Sequence, residues 1–536
     1  MSAEAADELL LGLHLRRIHS GYFPLSQQRF PSCATQGLSY RPTMTCMTCM
    51  TRMTRVACTE PWRRSNPAIS HCRAGMTSSR RVKCKSLTHN KVASCRLRYP
   101  LTVARPPTNL MWNTMDKSSL TDPGAAAGVD LAAEAATLQS LSRASGLKSW
   151  RLGGRELVPV VQGGMGIGVS AGGLAGAVAA QGAVGTLSCV DLRRLHPDLM
   201  EQTADLDAES RAKQHIDAAN LEALGREITK ARQLSQGRGL LAVNVMRAVN
   251  EYEHYVRHAL ACGIDALVVG AGLPLDLPEL AREHPKAALI PILSDARGVQ
   301  LVVRKWERKG RLPDAIVIEH PGLAGGHLGA AKVADLHDRR FDFDVVLPEA
   351  LAFFRSAGLE GKIPLVAAGG VASLEDIRRL QGLGASAVQV GTAFAVTTEG
   401  DAAAEFKRVL AEARPEDIVE FTSVAGLPAR AVRTPWLEKY LRLEPRLQAH
   451  AHVKPHCTMW FDCLAHCGLR DGNAAWGQFC IDKVLGHALA GQTEKGLFFR
   501  GAGKLPFGSA VRPVHDLMQW LLGGVRPQGL VQGAAA

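Results

Sequence analysis

IPLVAAGGVASLEDIRRLQGLGASAVQVGTAF, residues 363–394, contains the pattern on which the fold depends. An apolar run at 363–368 ends in two glycines, the amphipathic segment LEDIRRLQGLG (374–384) follows, and the run AVQVG (387–391) ends in small residues again. A short, continuous apolar run bounded by turn residues reads as a strand covered on both faces, and the segment between the two is long enough to return to the start of a parallel neighbour. The same alternation extends back along the chain. VPVVQ (158–162), VGTLS (184–188), LLAVNV (240–245), ALVVG (266–270), ALIPIL (288–293) and AIVIEH (315–320) complete a set of eight runs. Helix-like stretches such as 221–234 and 251–263 separate them. Eight strands with helical crossovers in about 250 residues predict an α/β chain closed into a (β/α)8 TIM barrel, with a doubly wound open sheet as the competing arrangement.

Outward from the barrel at 151–430, composition divides the rest. Residues 1–114 carry 17 Lys and Arg against four Asp and Glu, which accounts for the whole formal charge of +13 and leaves the remainder neutral. A nucleic-acid track needs excess positive charge on the folded body, so no nucleic-acid partner is expected. This leader includes CMTCMTRMTR (46–55), has no periodicity and is expected to be disordered. A transit peptide is one reading of its Arg- and Ser-rich composition, but the acids in MSAEAADELL oppose it; Met115 at MDKSSLTDPGAAAG is the favoured initiator, with the leader not translated. Residues 115–150 form a linker, and 431–536 a C-terminal extension with helices near 478–491 and 511–522. No apolar run reaches the roughly 18 residues of a membrane span, and the sparse cysteines of the body suit a reducing cytoplasm.

In a barrel of this kind the reactive face is the rim at the strand C-termini. The first strand leads into QGGMGIGVSAGG (162–173), which permits close backbone approach but has no acidic residue placed as in a dinucleotide fingerprint. Strands seven and eight lead into AAGGVAS (367–373) and QVGTAF (389–394). Small residues at these two neighbouring ends are suited to hold a phosphate through backbone N–H groups. Strand six leads into EHPGLAGGHLGA (319–330), which places His327 on the rim, where an imidazole can hold or take a proton.

The ordered set QGGMG (162–166), AVN (242–244), AGGH (324–327), AAGGVA (367–372) and QVGTAF (389–394) resembles the nitronate monooxygenase (2-nitropropane dioxygenase) family, and more distantly the flavin-dependent enoyl-acyl-carrier-protein reductases. The resemblance implies bound FMN, with Gly164, Met165 and Gly166 against the flavin, Asn244 near its ring, Ala324 and Gly325 beside it, Gly369, Gly370, Gly391 and Thr392 at the phosphate, and Ala368 as a further cofactor-binding residue. It carries to His327 the role of active-site base and substrate-orienting residue. The implied reaction is oxidation of an alkyl nitronate by molecular oxygen to a carbonyl compound and nitrite. A small molecule and O2 are then the expected partners, with no membrane, and a homodimer is one assembly open to the chain. The alternatives are an NAD(P)H-dependent enoyl-thioester reductase and a flavin-binding subunit of a larger synthase. Two departures from the family stand out: IPILSDARG (290–298) lacks the lysine that many members carry after strand five, and the segments 191–238 and 321–362 are long.

Cys457, Cys463, Cys467 and Cys480 have the spacing C-x5-C-x3-C-x12-C. Four thiolates suit a zinc ion or an iron–sulfur cluster, with His450, His452, His456 and His466 nearby as substitutes. The other reading is four reduced cysteines packed as small apolar residues among Trp460, Phe461 and Phe479.

Overall fold

The structure, a computed structural model, describes residues 131–204, 211–453, 457 and 462–529. The leader at 1–114 and the disorder expected in it lie outside the described residues, as do the start of the linker and His456, Trp460 and Phe461.

A hairpin of β1 (Trp150–Leu152) and β2 (Arg155–Leu157) precedes the barrel. The barrel strands are β3 (Val160–Gln162), β4 (Val184–Ser188), β5 (Leu240–Met246), β6 (Ala266–Gly270), β7 (Ala288–Leu293), β8 (Ile316–Glu319), β10 (Leu365–Ala368) and β11 (Ala387–Val390), while β9 (Gly326–His327) lies outside the ring. All eight pair in parallel, and β11 closes on β3 in the register Val388 with Val160 and Val390 with Gln162. These are the eight runs expected from the sequence, agreeing within two residues at either end. The ring excludes the open sheet.

Strand alternation builds two cores. Val161, Val184, Ala242, Val268, Ile290, Val317, Val366 and Ala387 face inward and form one cluster. Leu187, Val243, Leu267, Leu289, Ile316 and Val388 face outward and pack in a larger cluster with the surrounding helices. The hairpin joins the inner cluster through Trp150, Leu152 and Leu157. Arg155 bonds the Gly239 carbonyl at 2.6 Å, just before β5, so the hairpin covers the strand N-termini. The opposite mouth is left for chemistry.

The eighth barrel helix arrives late. After β11 and a short helix, Thr392–Ala395, the chain builds a lobe before returning as the helix Val514–Gly523. That helix packs against Leu131–Ala144, Leu374–Gly382 and Gly172–Ala180, which places it between the barrel's first and seventh helices. The Trp520 indole donates to the Ala372 carbonyl at 2.7 Å. Leu517, Met518, Leu521 and Leu522 are fully buried there, each contributing about 1.5–3 kcal/mol.

The lobe has its own core around Phe421, Leu437, Tyr440, Phe479 and Leu497. Its hairpin, β12 (Ile418–Thr422) and β13 (Pro428–Val432), takes β9 as a third, antiparallel strand, so the rim segment after β8 is stitched to the lobe. Buried Arg430 reinforces the seam by donating to the Pro321 carbonyl at 3.0 Å and to the Ala324 carbonyl. Among the described residues no helix is long and apolar enough to cross a membrane.

Candidate active site

Lobe and barrel mouth together enclose a cavity of about 280 Å3, close to the lower end of the roughly 300–1,000 Å3 usual for small-molecule sites. Gly164, Met165, Gly166, Asn244, Ala324, Gly325, His327, Ala368, Gly369, Gly370, Gly391 and Thr392 all line it. The twelve residues singled out in the sequence therefore meet in one place, drawn from the ends of β3, β5, β8, β10 and β11.

Each corner has a local cause. The loop after β3 is held by Gln162, fully buried, whose side chain accepts from Thr186 N at 2.8 Å and donates to Thr186 O at 3.1 Å, and by Ser170, which receives Met165 N at 2.8 Å. A methyl group on Gly164 would lie 2.3 Å from Asn244 Cβ, so only glycine lets these two strand ends meet. Gly369 and Gly370 adopt φ of +113° and +72°, a region that excludes most side chains. On Gly391 a methyl would meet nothing nearer than Met165 Sδ at 3.8 Å and would fill cavity space. The Thr392 hydroxyl accepts from Gly501 N at 3.0 Å, fixing a lobe loop beside this corner.

The glycine-rich loop after β3 is followed by the helix Gly172–Ala180, but its N-terminus is already occupied. Asp401 accepts from Ala171, Gly173 and Leu174 N at 2.8, 3.0 and 3.0 Å, and Glu227 accepts from Gly172 N at 2.7 Å. Two carboxylates there leave no place for a phosphate. The β10–β11 corner is the one that can cradle an anion.

His327 occupies β9 opposite Ala429, with its ring 5.3 Å from that of Phe499 in an edge-on contact. Its Nε2 is buried and has no hydrogen-bond partner among the described residues. Burial lowers the imidazole to about 4, so the ring is neutral at physiological pH and one nitrogen is free for a ligand.

The sequence reading passed over several lining residues. Glu319 ends β8 and Gln389 lies near the end of β11, while the lobe supplies Phe499, Arg500, Gly501, Gly503 and Lys504. Arg500 braces its own loop, donating to the carbonyls of Leu410 and Gly501 at 2.9 and 2.8 Å. Gly503 adjoins Gly370, since a methyl on it would come within 3.4 Å of Gly370 Cα, and this carries Lys504 to the same corner. A basic residue, Lys504, thus lines the cavity from the lobe, while the end of β7 carries none. RGAGK (500–504), glycines between two basic residues, was the available signal.

The expectation of a metal at the cysteines finds no support. Among the described residues no group of three or more His, Cys, Asp or Glu side chains is arranged to hold a metal. Cys463 and Cys467 pack with Phe421 and Phe479 in the lobe core. Burial raises both thiols and pushes Cys480 up to about 11. The zinc or iron–sulfur site at Cys457, Cys463, Cys467 and Cys480 has no support, and apolar packing accounts for the buried thiols.

The profile of the nitronate monooxygenase family matches residues 155–523, ending on the late-arriving eighth helix. A probable nitronate monooxygenase of Bacillus subtilis is 26% identical over 292 residues, covering 53% of this chain and 79% of that protein. A nitronate monooxygenase of Pseudomonas aeruginosa is 31% identical over 173 residues, covering 30% of this chain and 47% of that protein. Among solved structures, FabK from Thermotoga maritima superposes with a TM-score of 0.46 at 22% identity, over 68% of this chain and 91% of that one. A nitroalkane oxidase from Streptomyces ansochromogenes gives 0.45 at 20%, over 68% and 94%.

Proposed function

Because the chain belongs to the nitronate monooxygenase family and is a flavin-dependent oxidoreductase, we propose that it binds FMN and oxidises alkyl nitronates with molecular oxygen, giving a carbonyl compound and nitrite. The observation that carries the reading is the meeting, in one cavity, of two glycine corners at neighbouring strand ends with an unpaired, neutral imidazole. FMN supplies the electron transfer and the reaction with oxygen. The residues present fit it. Gly369, Gly370, Gly391 and Thr392 would hold the phosphate, with Lys504 on the same cavity lining as a balancing cation. Gly164, Met165 and Gly166 would support the ring system, and the Asn244 amide, which among the described residues makes no side-chain hydrogen bond, would bond a ring heteroatom.

His327 orients the substrate. A neutral imidazole with one free nitrogen offers a single directed hydrogen bond to a nitronate oxygen. The neighbouring Phe499, Leu497 and Leu485 exclude water and receive the alkyl portion.

The test is an anaerobic titration of the purified, yellow protein with propionate 3-nitronate and, separately, with NADPH. Rapid bleaching by the nitronate alone, followed by nitrite release on admitting air, is the expected result. Bleaching by NADPH and not by nitronate would overturn the proposal in favour of the enoyl-thioester reductase, and colourless protein that cannot be reconstituted with FMN would overturn both.

A further inference from the structure

The wall of the cavity is not uniform. Its ionisable lining residues, Glu319, His327, Arg500 and Lys504, come from β8, β9 and the lobe loop 500–504. Another stretch carries no charge. It is built by Ile167 and Val169 of the loop after β3, Phe406 and Leu410 of the helix Ala404–Glu412, and Leu485 and Ala488 of the helix Ile481–Leu489. All six belong to one apolar cluster, so an arm of the cavity runs into the core that joins the lobe to the barrel mouth. Leu410 and Ala488 are 1% exposed and Ile167 2%, which makes the arm slender. Its walls are held in place. The Phe406 ring stacks on Phe498 with centroids 5.5 Å apart, and a methyl on Gly168 would lie 3.1 Å from Leu489 Cδ2, so the loop after β3 rests directly on the second helix. Backbone polar groups at the helix ends are satisfied too: the Leu410 carbonyl accepts from Arg500 Nε at 2.9 Å and the Leu489 carbonyl from Ala403 N at 3.1 Å. Unfilled apolar space in a core costs stability, stays dry and takes apolar ligands.

We propose that this arm receives a long, unbranched alkyl chain, so that the substrate is a nitronate whose carbon chain extends well beyond an ethyl or propyl group. The inference rests on the nitronate reading above and adds to it the class of organic group. Both helices lie in the segment between β11 and the late eighth barrel helix, so chain-length selection belongs to the lobe. With the nitronate group hydrogen-bonded at His327, the tail is the part left to enter the arm. A slender slot accepts consecutive methylenes and rejects a branch, which would have to displace Phe406 or Leu410 from a packed core. Each methylene moved from water into the arm strengthens binding about fourfold. These methylenes are buried equally in the ground and transition states, so they lower KM and leave kcat nearly constant. Phe406, Leu410 and Leu485 are then the specificity-determining residues.

The experiment gives the flavin-loaded full chain the ethyl, butyl, hexyl and octyl nitronates. kcat/KM is expected to rise about fourfold per methylene as far as hexyl, through a falling KM. L485W, which fills the arm, should keep its colour and lower the octyl-to-ethyl ratio of kcat/KM about tenfold or more. A second readout is independent of turnover: in calorimetry n-octanol should bind wild type at a single saturable site about tenfold or more tighter than n-butanol, and L485W should lose that preference. A flat chain-length series, equal use of an octyl isomer branched beside the reacting carbon, an unchanged ratio in yellow L485W, or octanol binding no tighter than butanol would each overturn the assignment. If wild type consumes none of the nitronates, the nitronate reading fails by itself, and octanol binding alone decides whether the arm takes a chain.

Discussion

The barrel and the lobe at its mouth contribute to the same cavity by opposite routes. The barrel supplies backbone: Gly164, Gly369, Gly370 and Gly391 make space, and two of them need a positive φ to do so. The lobe supplies side chains, Phe499, Arg500 and Lys504, on a loop held by Thr392 and its own arginine. Positions where a side chain is forbidden tolerate almost no change, while positions where a side chain is offered can be traded with graded loss. On the proposed reading, the barrel backbone then decides which cofactor is held and the lobe side chains tune how tightly.

The sharpest way to break that division is G370V. With φ at +72° and Leu323 Cδ1 2.9 Å from the site of a new Cβ, the corner must rebuild; strain of about 1–3 kcal/mol there is expected to leave colourless protein that retains its fold by circular dichroism. Yellow G370V would refute the assignment of the corner. Next in size is D401A, which strips three N–H groups at the first barrel helix of their acceptor. A loss of about 2–3 kcal/mol in urea unfolding is expected, with flavin affinity preserved because this terminus lies apart from the phosphate corner. On the lobe side, K504A should weaken FMN retention about tenfold, more at low salt than at high, with K504R close to wild type. A K504A loss as complete as that of G370V would erase the distinction.

The smallest effects are in the pH dependence of stability, best measured on the apoprotein. His327 is lowered to about 4 by burial, so the unfolded chain binds its proton more readily; this stability is present above the ordinary histidine range and is lost as pH falls toward 4. H327Q should therefore lose less stability than wild type on acidification. Glu319 has the opposite sign: raised to about 7, it stabilises only while protonated and costs stability as pH climbs through 7. E319Q should gain on wild type from weakly acidic to weakly alkaline pH, as followed by Tm.

The same division explains what could be read from the sequence. Strands covered on both faces are written as continuous apolar runs, so β3 to β11 were legible apart from the two-residue β9, and the residues directly following them pointed to the rim. The eighth helix was assigned to an extension because its neighbours, Leu131–Ala144 and Leu374–Gly382, are remote in sequence and no local period reveals them. Asp401 and Lys504 were missed for that reason too: each acts on residues far along the chain. Glu319 stood inside a quoted motif and was passed over, because a strand-end carboxylate reads as solvated until the barrel shows that it faces inward. The cysteine spacing left two readings open, since spacing alone does not distinguish ligands from packing.

The position of Val514–Gly523 also governs how the enzyme is made. A ribosome delivers all eight strands and then the whole lobe before the stave that seals the ring, so the nascent barrel waits with a gap between its first and seventh helices. Closure is therefore a late event joining remote parts of the polypeptide, completed only after every strand of the ring has emerged.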